Sequence, residues 1–137
     1  MELLHKDLSY QIIGACYAVY NALGPFFREI VYQRALAIEL RYRGLTFDAK
    51  KPIEIKYRGS CISRWEPDFV VENQVVLELK TVEVLHPKHV SQVLQYLAVT
   101  GLRLGLLVSF GNLEKVTFKR IPFGPTDHTD QTDRMVE

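Results

Sequence analysis

The chain has 137 residues, which suits one domain built on one core. Apolar residues make up 47% and charged residues 24%, the balance of a globular chain, and no apolar run approaches the roughly 18 residues of a membrane span. The net charge of +1 is uneven: Asp127, Asp130, Asp133 and Glu137 against Arg134 give −3 over residues 125–137, leaving +4 for residues 1–124. Such a balance permits contact with a phosphate backbone without demanding it.

The opening MELLHKDLSY has acids and no long apolar stretch, unlike a secretory signal. Cys16 and Cys61 belong to no C-x-x-C pair. They read as reduced thiols, and a cytoplasmic location is expected.

Asp7 to Leu23 reads as a helix, with Leu8, Ile12, Cys16 (or Ala15), Val19 and Leu23 three or four apart, ended by Gly24-Pro25. Phe27 to Arg43 reads as a second helix, with Phe27, Val31, Ala35 and Ile38 on its apolar side and Gly44 as its stop. Leu45 to Tyr57 is extended and broken at Lys51-Pro52; Arg58-Gly59-Ser60 turns the chain. Strands follow over Cys61 to Val71 and Val75 to Thr81. Pro87 opens a third helix that runs to about Thr100, closed by Gly101. Leu104 to Phe110 reads as a buried strand, and Val116 to Ile121 as a last one. Residues 125–137 lack apolar periodicity and read as a disordered acidic tail.

The chemistry concentrates in WEPDFVVENQVVLELK, Trp65 to Lys80. Glu72-Asn73-Gln74 separates two apolar strands, and Asn73 tolerates a left-handed backbone. A three-residue loop pairs Val71 with Val75 and puts Asp68 opposite Glu78. Directly opposed residues share a face, with β-carbons roughly 4.5–5.5 Å apart. Strand alternation adds Lys80 to that face. A two-residue loop would place Asp68 on the other face. Two carboxylates this close repel, so neutralising Asp68 is expected to leave stability equal or higher without metal. Oxygen ligands of this kind suit Mg²⁺ or Mn²⁺. By itself, a Glu and a Lys two apart on a strand are also what a solvated face looks like.

Pro67-Asp68 and Glu78-x-Lys80, set in the order helix, three strands, helix, strand, resemble the PD-(D/E)XK nuclease core. GPFFREIVYQRAL, LELK, HVSQVLQYL and TGLRLGLLVSFG further resemble the GxxExxY family of that superfamily, over about Leu8 to Ile121. Glu29 and Tyr32 keep that family's motif; Phe26 stands where its glycine belongs, and Gly24 lies two residues earlier.

The resemblance implies an α+β, restriction-endonuclease-like αβββαβ core with an extra N-terminal helix and a C-terminal strand. It implies a metal-dependent nuclease acting on nucleic acid, DNA above all, with Mg²⁺ as cofactor and Mn²⁺ as substitute. Asp68, Glu78 and the Leu79 carbonyl would hold the metal, with Glu29 as a further acid. Lys80 would position the attacking water. Gln92 and Tyr96, four apart on the third helix, would meet the metal shell or the phosphate.

Plainer roles exist for neighbouring residues. Tyr32 reads as a core aromatic, and His86 and His89 as part of a helix start. Arg58, Arg64, Lys88, Arg103, Lys119 and Arg120 could line a phosphate track. A chain of this size leaves little room for a recognition domain. Sequence specificity would then be weak, or come from a homodimer or a partner protein. The competing expectation is a non-catalytic nucleic-acid-binding or protein-interaction module on the same fold.

Overall fold

The computed structural model describes residues 4–124; residues 1–3 and the expected disordered tail, 125–137, lie outside the described residues. Helices α1 (Lys6–Leu23) and α2 (Glu29–Tyr42) come first. Strands β1 (Phe47–Ala49), β2 (Ile53–Tyr57), β3 (Ser60–Trp65), β4 (Phe69–Val71) and β5 (Val75–Lys80) follow. Helix α3 (Pro87–Thr100) leads to β6 (Leu104–Ser109) and β7 (Thr117–Pro122). No helix among the described residues is long and apolar enough to cross a membrane.

Five strands form one sheet in the order β1-β4-β5-β6-β7. Only β5 and β6 run parallel, joined by the α3 crossover; the other pairs are antiparallel. The mixed α+β architecture has the expected order, helix, three strands, helix, strand, in α2, β1, β4, β5, α3 and β6. Helix α1 and strand β7 are the additions.

Alternation along β5 splits the core into two layers. Val75, Leu77 and Leu79 pack with Ile12, Val19, Tyr32 and Leu36 from α1 and α2. Val76 points the other way and packs with Val93 and Leu97 of α3. The second layer is tight: a β-carbon on Gly105 of β6 would lie 2.3 Å from Val93 Cγ1, so glycine lets α3 approach the sheet.

Two expectations need correction. The predicted strand Cys61–Val71 is two strands, broken by Glu66-Pro67-Asp68, and β3 pairs with β2 in a separate ribbon. Pro67 is buried and cannot donate to a strand ladder. The ribbon is therefore an insertion between neighbouring strands β1 and β4.

Helix α2 starts two residues later than predicted and buries a face rotated by one residue. Tyr32, Leu36 and Leu40 face the core, while Ile38 is 67% exposed and Phe27 is exposed. Both rows are apolar at helical spacing, so periodicity alone could not choose. The Tyr32 ring decides it by stacking on Phe110, with centroids 4.5 Å apart and planes within 12°.

Candidate active site

The site begins with the hairpin turn between β4 and β5. Gln74 N donates to Val71 O at 3.0 Å, and Glu72 and Asn73 both have φ 54°. Asparagine tolerates that backbone; glutamate does so at a cost. Thr46 compensates: its amide and hydroxyl donate to Glu72 Oε2 at 2.6 and 2.5 Å, and Glu72 N donates to Thr46 O at 2.9 Å. These bonds, the hydroxyl's first, hold the Glu72 carboxyl below its ordinary pKa.

The turn fixes the register Val71↔Val75, Val70↔Val76 and Phe69↔Leu77. The next step places Asp68 beside Glu78, as the three-residue loop predicts. Both acids are buried, at 3% and 5% exposure. Asp68 N donates to Glu78 Oε1 at 3.0 Å, and Leu79 N donates to Asp68 Oδ2 at 2.8 Å.

Both helix layers reach this end of the sheet. From α2, Gln33 Nε2 donates to Asp68 Oδ1 at 2.7 Å and to Glu29 Oε2 at 3.0 Å. Just after β1, Lys50 Nζ also donates to Asp68 Oδ1 at 2.7 Å. From α3, Gln92 Oε1 accepts from Lys80 Nζ at 3.2 Å, and that ammonium lies 3.9 Å from Glu78 Oε2. One polar network thus runs from Glu29 through Asp68 and Glu78 to Gln92.

The acids burden one another. Burial first, and then the charge of Asp68, push the Glu78 carboxyl up to about 8; the Asp68 amide and Lys80 oppose the shift. Burial and Asp68 likewise raise the Glu29 carboxyl. For Lys50, burial works against the charged form. The hydrogen bond and charge of Asp68 outweigh it and, with Glu78 and Glu29, hold the ammonium above its ordinary range.

Residues 6–121 match the family model described as the PD-(D/E)XK nuclease superfamily. The chain belongs to the PD-(D/E)XK nuclease superfamily. Among solved structures, the crystal structure of SSO0001 resembles it with a TM-score of 0.54 at 18% identity, covering 96% of this chain. The chain spans 66% of that protein's length, and at this identity the likeness shows the fold alone. No curated protein matches the chain.

In this PD-(D/E)XK chain, Asp68, Glu78, Lys80, Glu29 and Gln92 are linked through the network. The Leu79 amide is what reaches Asp68. Tyr96 stands apart: it is buried in the second core layer, edge-on to Trp65 at 5.5 Å, and makes no hydrogen bond or ion pair with the acids. Burial, and secondarily Asp48, raise its phenol.

Tyr32 is structural. Its hydroxyl donates to Gly24 O and accepts from Phe27 N at 3.3 Å, pinning the turn before α2. Gly24 carries that turn's positive φ of 72°, while Phe26 is 78% exposed. His86 and His89 cap α3: His86 Nδ1 accepts from Lys88 N, and His89 Nδ1 accepts from His86 N, both at 3.1 Å. Arg120 leaves the suggested phosphate track, because it donates to Ser9 Oγ at 2.7 Å and Leu4 O at 2.5 Å, tying β7 to the N-terminal segment.

Two site residues escaped the sequence reading. Gln33 had a signal, since it lies four residues after Glu29 and so on the same helix face. Lys50 had none. It meets Asp68 because Ala49 pairs with Phe69 across the inserted ribbon.

Asp68 and Glu78 supply carboxylate oxygens, the donor type that hard divalent cations take, and each has an ammonium beside it. Among the described residues, no group of three or more histidine, cysteine or acidic side chains is gathered closely enough to hold a metal. Gln33 bridges Asp68 and Glu29, and Lys50 shares the same Asp68 oxygen.

Proposed function

We propose that this chain is a metal-dependent nuclease that hydrolyses phosphodiester bonds, with DNA as its substrate, within the GxxExxY branch of its superfamily. The observation that carries the reading is the buried Asp68–Glu78 pair, with Lys80 beside Glu78 and Gln92 beside Lys80. Two acids buried side by side at a sheet end are a costly way to build a core, even with Lys50 and Lys80 beside them. The branch assignment is supported by Tyr32, whose hydroxyl ties down the turn from which Glu29 starts α2.

Asp68 and Glu78 would hold the cation, with Glu29 and the Leu79 carbonyl completing its shell. Bound there, Mg²⁺ or Mn²⁺ would lower the pKa of the attacking water and polarise the phosphate. Lys80 positions that water and steadies developing charge, and Gln92 fixes the ammonium. Tyr96 takes no direct part in this scheme.

One observation favours the alternative, a non-catalytic nucleic-acid-binding or protein-interaction module. Asp68 is already satisfied by Leu79, Gln33 and Lys50. Titration of Mn²⁺ into wild type, Asp68→Ala and Lys80→Ala, with cleavage assayed in parallel, separates the two. The nuclease loses the metal site only with Asp68 and loses cleavage with both. A wild type that binds no metal supports the module instead.

A further inference from the structure

We propose that Lys50 is an exchangeable counter-ion: its ammonium holds Asp68 Oδ1 until a divalent cation takes that oxygen, and it then pairs with the substrate phosphate. The inference rests on the metal-site reading above and adds a positioning residue that lies outside the Glu-x-Lys motif.

Three observations carry it. First, the two lysines divide the acids between them. Lys50 Nζ lies 2.7 Å from Asp68, whereas Lys80 Nζ lies 3.9 Å from Glu78. The motif lysine therefore leaves Asp68 to another cation.

Second, the pair is asymmetric. The Lys50 side chain is 49% exposed, but that of Asp68 is 3% exposed. The acid cannot leave the site, while the ammonium can swing into water on its four-carbon stem. The root of that stem stays fixed, because Lys50 N donates to Asp68 O at 3.2 Å. A released Lys50 head is therefore tethered beside the acids.

Third, Lys50 occupies a left-handed backbone, φ 57°. Glycine or asparagine adopts this conformation at less cost. A residue kept there only to turn the chain would be better as either. Its ammonium gives lysine a reason to be at that position.

Charge supplies the direction of exchange. Three carboxyl groups, Glu29, Asp68 and Glu78, share this end of the sheet with two ammoniums, Lys50 and Lys80. A divalent cation on Asp68 repels Lys50 at close range, and an arriving phosphodiester supplies the anion that Lys50 has lost. Lys50 thus couples cation entry to phosphate capture.

The test is calorimetric titration of Mn²⁺ into wild type, Lys50→Met and Lys50→Asn. Methionine keeps the stem without the charge, and asparagine suits the backbone, so a folding defect in one leaves the other informative. Both variants are expected to bind Mn²⁺ more tightly, by about threefold or more, because a competing charge is gone. A second readout is oligonucleotide binding in Mn²⁺, in a Lys80→Ala background that does not cleave. There, Lys50→Met should reduce the slope of log affinity against log salt by about 0.7–0.9, one phosphate contact. Unchanged or weaker Mn²⁺ binding in both variants, with wild type binding normally, overturns the exchange. So does an unchanged salt slope. Failure of the wild type to bind Mn²⁺ overturns the metal-site reading itself.

Discussion

The Glu78 carboxylate accepts the backbone amide of Asp68 at 3.0 Å, while the Asp68 carboxylate accepts the amide of Leu79 at 2.8 Å. Each acid is held by the strand that carries the other. The cluster therefore cannot relax by splaying its side chains apart, and the mutual repulsion persists in the folded state.

A pH dependence follows. The folded Glu78 carboxyl sits at about 8 against an ordinary 4.5, so the native state keeps a proton that the unfolded chain releases within that window. Stability in EDTA should fall as pH rises from about 5 to 8. The raised Glu29 carboxyl acts in the same direction. Glu78→Gln should remove most of the slope. Urea midpoints at several pH values give the answer, and a wild-type profile that is flat or rises with pH would contradict it.

Asp68→Asn should destabilise the protein in EDTA by about 1–3 kcal/mol, the cost of leaving a buried donor unpaired. This reverses the expectation drawn from repulsion alone. Asp68 accepts from Leu79, Gln33 and Lys50, and an amide cannot accept on both sides. Its NH₂ would meet either the Leu79 amide or the Gln33 and Lys50 donors. A midpoint equal to wild type in EDTA would show that these hydrogen bonds contribute little.

Tyr32→Phe should cost about 0.5–1.5 kcal/mol, a hydrogen bond's usual net contribution, with the ring stack on Phe110 retained. The loss falls on the Gly24–Phe27 turn. Chemical denaturation would reveal it, and metal affinity should stay within about twofold of wild type. A large loss of metal binding would give Tyr32 a role in the site that its contacts do not suggest.

The hairpin was legible once its loop is taken as three residues, because period-2 alternation then puts Asp68 opposite Glu78; a two-residue loop would have put Asp68 on the other face. Helix α3 was equally plain, since Pro87 and Gly101 mark both its ends. The buried side of α2 was not, because two apolar rows compete and an aromatic contact to Phe110 decides between them. Lys50 was invisible for a topological reason: β1 pairs with β4 only after the chain has made the β2–β3 ribbon. The Trp65–Tyr96 ring contact was equally hidden, because β3 lies in the inserted ribbon.

Lys80→Arg should retain metal binding and lose cleavage by about 10² or more, the loss expected when a positioned group is removed. The planar guanidinium cannot reproduce a compact ammonium held between Gln92 and Glu78. Single-turnover rates with Mn²⁺ affinity measured alongside would check this. Near-normal turnover with unchanged affinity would leave Lys80 a charge-balancing residue only.

The decisive measurement is cleavage of supercoiled plasmid and of a labelled single-stranded oligonucleotide by purified wild type and Asp68→Ala, in Mg²⁺, Mn²⁺ and EDTA. Wild type should cut at least one substrate with either metal and neither substrate in EDTA, and Asp68→Ala should be inactive throughout. Cleavage that persists in EDTA or in Asp68→Ala, or a folded wild type that binds Mn²⁺ yet cuts neither substrate, would contradict the assignment of hydrolysis to the Asp68–Glu78–Lys80 cluster.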